Sequence, residues 1–121
     1  MPQHIGIVAC SAEGAALCYR TICIEGGQLL GPQDHPEVSM HTHSLAEYMK
    51  CINHGDWQGV AALMLSSANK LAKIGANFLI CPDNTIHQAI ATLNRLRHCH
   101  GFTSLKSSPP KPQIAISATS V

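Results

Sequence analysis

The hydrophobic positions of this chain change period several times, and each change marks an element. His4 to Cys10 is a short, nearly unbroken apolar run rich in β-branched residues, the pattern of a strand buried on both faces of a parallel sheet. Ser11 follows as an N-cap. Ala12 to Ile24 then has helix-forming composition, with Leu17, Tyr19 and Ile22 among its larger apolar groups and Gly26-Gly27 as its predicted end. Leu29 to Pro36 carries Gly31, Pro32, Asp34 and Pro36 and reads as a loop. Glu37 to Thr42 predicts a second strand, and Ser44 to Asn53 a helix closed by Asn53-His54-Gly55. Asp56 caps the next helix and Gly75 ends it. Within that helix Val60, Leu63, Met64, Ala68, Leu71 and Ala72 recur at spacings of three and four, one apolar stripe. Lys70 and Lys73 stand near its C-terminus, where the dipole favours cations. Asn77 to Cys81 predicts a third strand stopped by Pro82, and Asn84 to Arg97 a helix with Ile86, Ile90 and Leu93 along one side.

Strands alternating with helices predict an α/β fold, a three-layer sandwich around a short parallel sheet with right-handed crossovers. Residues 1–97 carry this pattern as one domain. From His98 the period is lost, and residues 98–121 read as a divergent Ser/Pro-rich tail in which Gln113 to Val121 allows a short added strand. At 121 residues the chain is long enough for a single core.

Composition narrows the function classes. The chain is 45% hydrophobic and 12% charged, which excludes a disordered polyelectrolyte. Eight Lys+Arg against seven Asp+Glu leave a net charge of +1, with no basic stripe to pair with phosphates. One Trp, two Tyr and two Phe offer no base-stacking platform, so nucleic acid is not an expected partner. No apolar run approaches the roughly 18 residues that span a bilayer, and no membrane role is expected. Met1-Pro2-Gln3-His4 enters an apolar run without the basic segment of a secretory signal. Cys10, Cys18, Cys23, Cys51, Cys81 and Cys99 form no C-x-x-C pair and are expected as free thiols in a reducing compartment, so a cytoplasmic location is predicted.

In an open parallel sheet, ligands bind beyond the carboxyl ends of the strands. Three loops qualify: Cys10-Ser11-Ala12-Glu13-Gly14, Thr42-His43-Ser44 and Pro82-Asp83-Asn84-Thr85. Two lead directly into helices, whose first N–H groups attract anions. Taken singly, Ser11, Ser44, Asp83 and Thr85 are equally well read as caps. Glu13 reads as a first-turn helix acid. His41-Thr42-His43 would set two imidazoles on one strand face, and His98-Cys99-His100 is a similar cluster. Neither has a further ligand positioned by sequence, so no metal site is assigned.

The segment Cys81-Pro82-Asp83-Asn84-Thr85-Ile86-His87 resembles the strand-end motif of the aspartate/glutamate racemase family, in which an acid/base residue precedes Asn-Thr and a nearby His. Gly75-Ala76-Asn77-Phe78-Leu79-Ile80 resembles the family's strand into that motif. Ile5-Gly6-Ile7-Val8, Glu13 and Tyr19-Arg20 look like its first strand and helix, and His54-Gly55-Asp56-Trp57 like its loop between the middle helices. The resemblance covers about residues 4–97. It implies half of a cofactor-independent amino-acid racemase, acting on aspartate, glutamate or a related amino acid without pyridoxal phosphate. In that family two α/β halves close around the substrate and each contributes one acid/base residue. Carried over, Asp83 takes the first acid/base position and Asn84 and Thr85 grip the substrate carboxylate. Ser11 and Thr42 line the same pocket from the first two strand ends. Where the family has Cys, this chain has Asp83, and a carboxylate near its ordinary pKa of about 3.9 is a weak base for a Cα proton. No second acid/base motif follows residue 97. The expectation is a truncated form, weak or inactive alone, with apolar surface left open to self-association. The alternative is a non-catalytic relative that binds small carboxylates or amino acids.

Overall fold

A computed structural model describes residues 3–83 and 113–116. The order of elements is β1 (His4–Ala9), α1 (Ala12–Leu30), β2 (Glu37–Thr42), α2 (Leu45–Asn53), α3 (Trp57–Lys73), β3 (Phe78–Cys81) and β4 (Gln113–Ile116). All pairings are parallel and the sheet order is β2-β1-β3-β4. The chain is therefore α/β. The helix expected over 84–97, with Asn84, Thr85 and His87, and the His98-Cys99-His100 cluster lie outside the described residues.

β1 sits centrally because its side chains are apolar on both sides of the pleat. Ile7 and Ala9 pack with Ala15 and Cys18 of α1. Val8 and Cys10 pack on the opposite face with Tyr48 of α2 and Val60, Met64, Ala68 and Leu71 of α3. Helices thus cover both faces of β1, and the core lies in two layers either side of it. The predicted α3 stripe is displaced by one position at two points. Ala61 and Ser67 are buried, while Leu63 and Ala72 stay half-buried at its margin.

The predicted end of α1 is corrected. The helix does not stop at Gly26-Gly27 but continues to Leu30, taking in the first residues of the expected loop. Gly26 is there for close packing: a Cβ on it would stand 2.7 Å from His35 Cβ and 2.9 Å from the Asp34 carbonyl oxygen. Termination falls to Gly31, with φ of 123° and its N–H donating to the Gly27 carbonyl, a backbone shape open to glycine. The other caps follow the sequence. Ser44 Oγ accepts from Ala46 N–H, and Asp56 Oδ1 accepts from Gly59 N–H at 2.9 Å.

β1 connects to β2 on one side and is flanked by β3 on the other. The crevice at such a reversal of strand order, beyond the carboxyl ends, is where open α/β sheets bind ligands. By that rule the candidate position lies between the ends of β1 and β3, which lead to Ser11 and Asp83. Among the described residues no helix is long and apolar enough to cross a membrane.

Candidate functional site

Each side of the crevice contributes one polar residue, and the two meet. Asp83 is buried, with 9% of its surface exposed. Ser11 Oγ donates to Asp83 Oδ1 at 2.7 Å, and the Ser11 backbone N–H donates to Oδ2 at 3.1 Å. Ser11 Oγ also accepts from Gly14 N–H at 3.2 Å, the N-cap bond of α1. One hydroxyl therefore caps a helix and ties down the end of β3, joining residues 72 apart in sequence.

Glycine at position 14 makes the approach possible. A Cβ there would lie 3.1 Å from Ser11 Oγ and 3.2 Å from Asp83 Oδ1. The carboxylate thus rests against the first turn of α1, where the positive end of the helix dipole meets its charge. The anion position of that helix terminus is filled by the chain's own side chain. A ligand carboxylate entering the crevice would have to take its donors elsewhere.

Beneath Ser11 and Asp83 lies a layer of ionisable but neutral groups. Burial pushes the Cys10 thiol up to about 11, with the Asp83 charge adding to it. The Cys81 thiol is pushed up to about 12, again first by burial; a hydrogen bond with the Asp83 backbone opposes the rise and the Asp83 charge adds to it. Tyr48 is fully buried. Burial raises its phenol well above the usual range, with further contributions led by Cys10 and Cys81. Its hydroxyl has no partner in good hydrogen-bond geometry among the described residues, with Ser67 near enough to oppose the rise. Neither thiol is ionised at neutral pH, so neither offers a thiolate base. Asp83 is the carboxylate that the described residues place there. Among the described residues Ser11 supplies two hydrogen bonds to this carboxylate, one to each oxygen.

Thr42 is placed one strand away. It pairs with Ala9 in the sheet register, and its hydroxyl donates to the His43 carbonyl at 2.7 Å. Ser11 and Asp83 are brought together, then, while Thr42 stands at the neighbouring strand end. Glu13 lies in the first turn of α1 and is exposed. Among the described residues no group of three or more His, Cys, Asp or Glu is arranged to hold a metal ion. Sequence reasoning passed over Tyr48 and Ser67 as polar groups of the core. Tyr48 does sit on the inner side of an amphipathic helix, but nothing in a local pattern shows that its hydroxyl is enclosed. No protein-family model matches the chain, and no curated protein matches it.

Proposed function

We propose that this chain is an amino-acid racemase-like domain that binds aspartate, glutamate or a related amino acid, with Asp83 as the acid/base on one face of the substrate. The observation that carries the reading is the meeting of Ser11 and Asp83 where strand order reverses. That crevice is the ligand position of an open parallel sheet, and Asp83 is the buried carboxylate that stands at it. Asn84 and Thr85, next in the chain, are the proposed donors to the substrate carboxylate. This fits an α1 terminus already neutralised by Asp83.

A single acid/base face has a definite chemical signature. Asp83 can remove the α-proton, exchange it with solvent and return a deuteron to the same side. Inversion needs a second donor on the opposite face. The expected outcome for the full chain in deuterium oxide is slow Cα-hydrogen exchange with retention of configuration and little or no racemisation. Proton NMR with a panel of amino acids checks it, with Asp83→Asn abolishing exchange while leaving binding intact. Failure of every panel member to bind would overturn the reading. The engagement of both Asp83 oxygens by Ser11 favours one second reading, a non-catalytic carboxylate-binding relative. Binding without any exchange would select it. Self-association is proposed alongside, and sedimentation of the same sample measures it.

A further inference from the structure

Two imidazoles pack together at the carboxyl end of β2. The ring centroids of His41 and His43 are 4.9 Å apart, with planes 80° from parallel. His41 Nδ1 lies 2.8 Å from Ser67 Oγ, and Ser67 is fully buried on α3. Nε2 of His43 is buried and makes no hydrogen bond among the described residues. We propose that the His41–His43 pair is an acid-sensitive latch, holding the end of β2 and the loop into α2 against α3 at neutral pH and releasing them when His41 takes up a proton.

The surroundings give protonated rings little support. From α3 the nearest charge is Lys70, a second cation. From α2, Glu47, Lys50 and Cys51 share with His43 the groove between α2 and α3. Glu47 is exposed and forms no ion pair with either imidazole among the described residues. Tyr48 of α2 is buried and neutral. From β1, the residue in register with His41 is Val8, which is apolar. A proton on His41 would add a cation with Lys70 as a charged neighbour and no carboxylate paired to it among the described residues, which favours movement of the ring to water.

The sign of the pH dependence follows from His41. Burial first, then Lys70 and His43, hold its imidazole below the ordinary 6.5. The released state binds a proton at the ordinary value and the latched state does not. The latch is therefore intact above about pH 6.5 and loses stability as pH falls below it. Thr42 lies between the two histidines in the chain, with its hydroxyl on the His43 carbonyl, so release would also loosen the end of β2 beside β1. The latch itself does not depend on the identity of any ligand.

Amide hydrogen exchange of the full chain, corrected for intrinsic rates, tests this at roughly pH 7.5 and pH 5.5. Protection at residues 41–44 is expected to fall on the order of tenfold at the lower pH, together with imidazole proton uptake seen by NMR, while β1 and β3 stay protected. His41→Phe keeps an aromatic edge-to-face partner without the proton and should reduce the fall. Equal protection at both pH values would overturn the proposal, as would a parallel loss over β1 and β3. If His41→Phe does not fold, the segment-by-segment comparison in the unsubstituted chain decides alone.

Discussion

Three of the hydrogen bonds of Ser11 do two jobs: they cap α1 and hold both oxygens of Asp83. Two of them run through its side chain and one through its backbone, so truncation to alanine separates them. Ser11→Ala removes the cap, at about 1 kcal/mol. It also leaves one oxygen of a buried carboxylate without its donor, at about 1–3 kcal/mol. The expected loss of stability is about 2–4 kcal/mol, read from the urea midpoint at constant slope. A loss within about 0.5 kcal/mol, the range of ordinary surface changes, would mean that the contact adds nothing to the fold. Ser11 was legible as a cap because Ser before a helical stretch has a local reason to be there. Its second partner is 72 positions away, and no local pattern carries that information.

At the scale of the element, α1 shows why a glycine pair misleads. Gly26-Gly27 reads as a stop because glycine is the weakest ordinary helix former. The helix continues because Gly26 lets the segment at Asp34-His35 lie against its backbone. The two glycines should therefore respond in opposite senses to the same substitution. Gly27→Ala meets nothing nearer than the Gln33 nitrogen at 3.8 Å and should stabilise by about 1 kcal/mol through helix propensity. Gly26→Ala gains the same propensity but drives its methyl group into His35 Cβ and the Asp34 carbonyl. Overpacking of that kind costs about 1–3 kcal/mol, so the net effect should be neutral to destabilising. Thermal melts of the two variants check the ordering, and a Gly26→Ala protein more stable than Gly27→Ala would refute it. β2 illustrates the opposite situation. Its bounds, Glu37–Thr42, were readable because loop residues on one side and a capping Ser on the other frame a short β-branched and polar run.

For the molecule as a whole, the buried thiols set an upper limit on the pH range of stability. Cys10 and Cys81 stand at about 11 and about 12 in the fold against an ordinary 9.0. The unfolded chain releases their protons first, so the neutral thiols stabilise the fold fully below about pH 9 and that contribution is lost as pH rises towards 11 and 12. Tyr48, raised by the same burial, adds to the loss in the same direction. The urea midpoint should therefore fall between roughly pH 8 and pH 10.5, and Cys81→Ala, which cannot ionise, should fall less steeply. A midpoint independent of pH over that range would show that these groups ionise in the folded state as they do in the unfolded one. The thiols are inert for the reason that makes them useful packing: they are small, weakly polar and enclosed.

What the sequence determined by itself, over the described residues, is the set of elements and their type. An apolar run without alternation specifies a central strand, a three-and-four stripe specifies a helix with one buried side, and small polar residues before helices specify their caps. Parallel pairing follows, because strands separated by helices return in the same direction. Tertiary structure decided the rest. It set β1 between β2 and β3, so that the ends carrying Ser11 and Asp83 became neighbours. It kept Gly26 inside a helix, enclosed the hydroxyl of Tyr48, and stacked His41 against His43 and Ser67. Each of these depends on contacts between segments far apart in the chain. Periodicity records only which face of an element is buried, whereas charge, hydrogen bonding and close approach depend on what is buried against it.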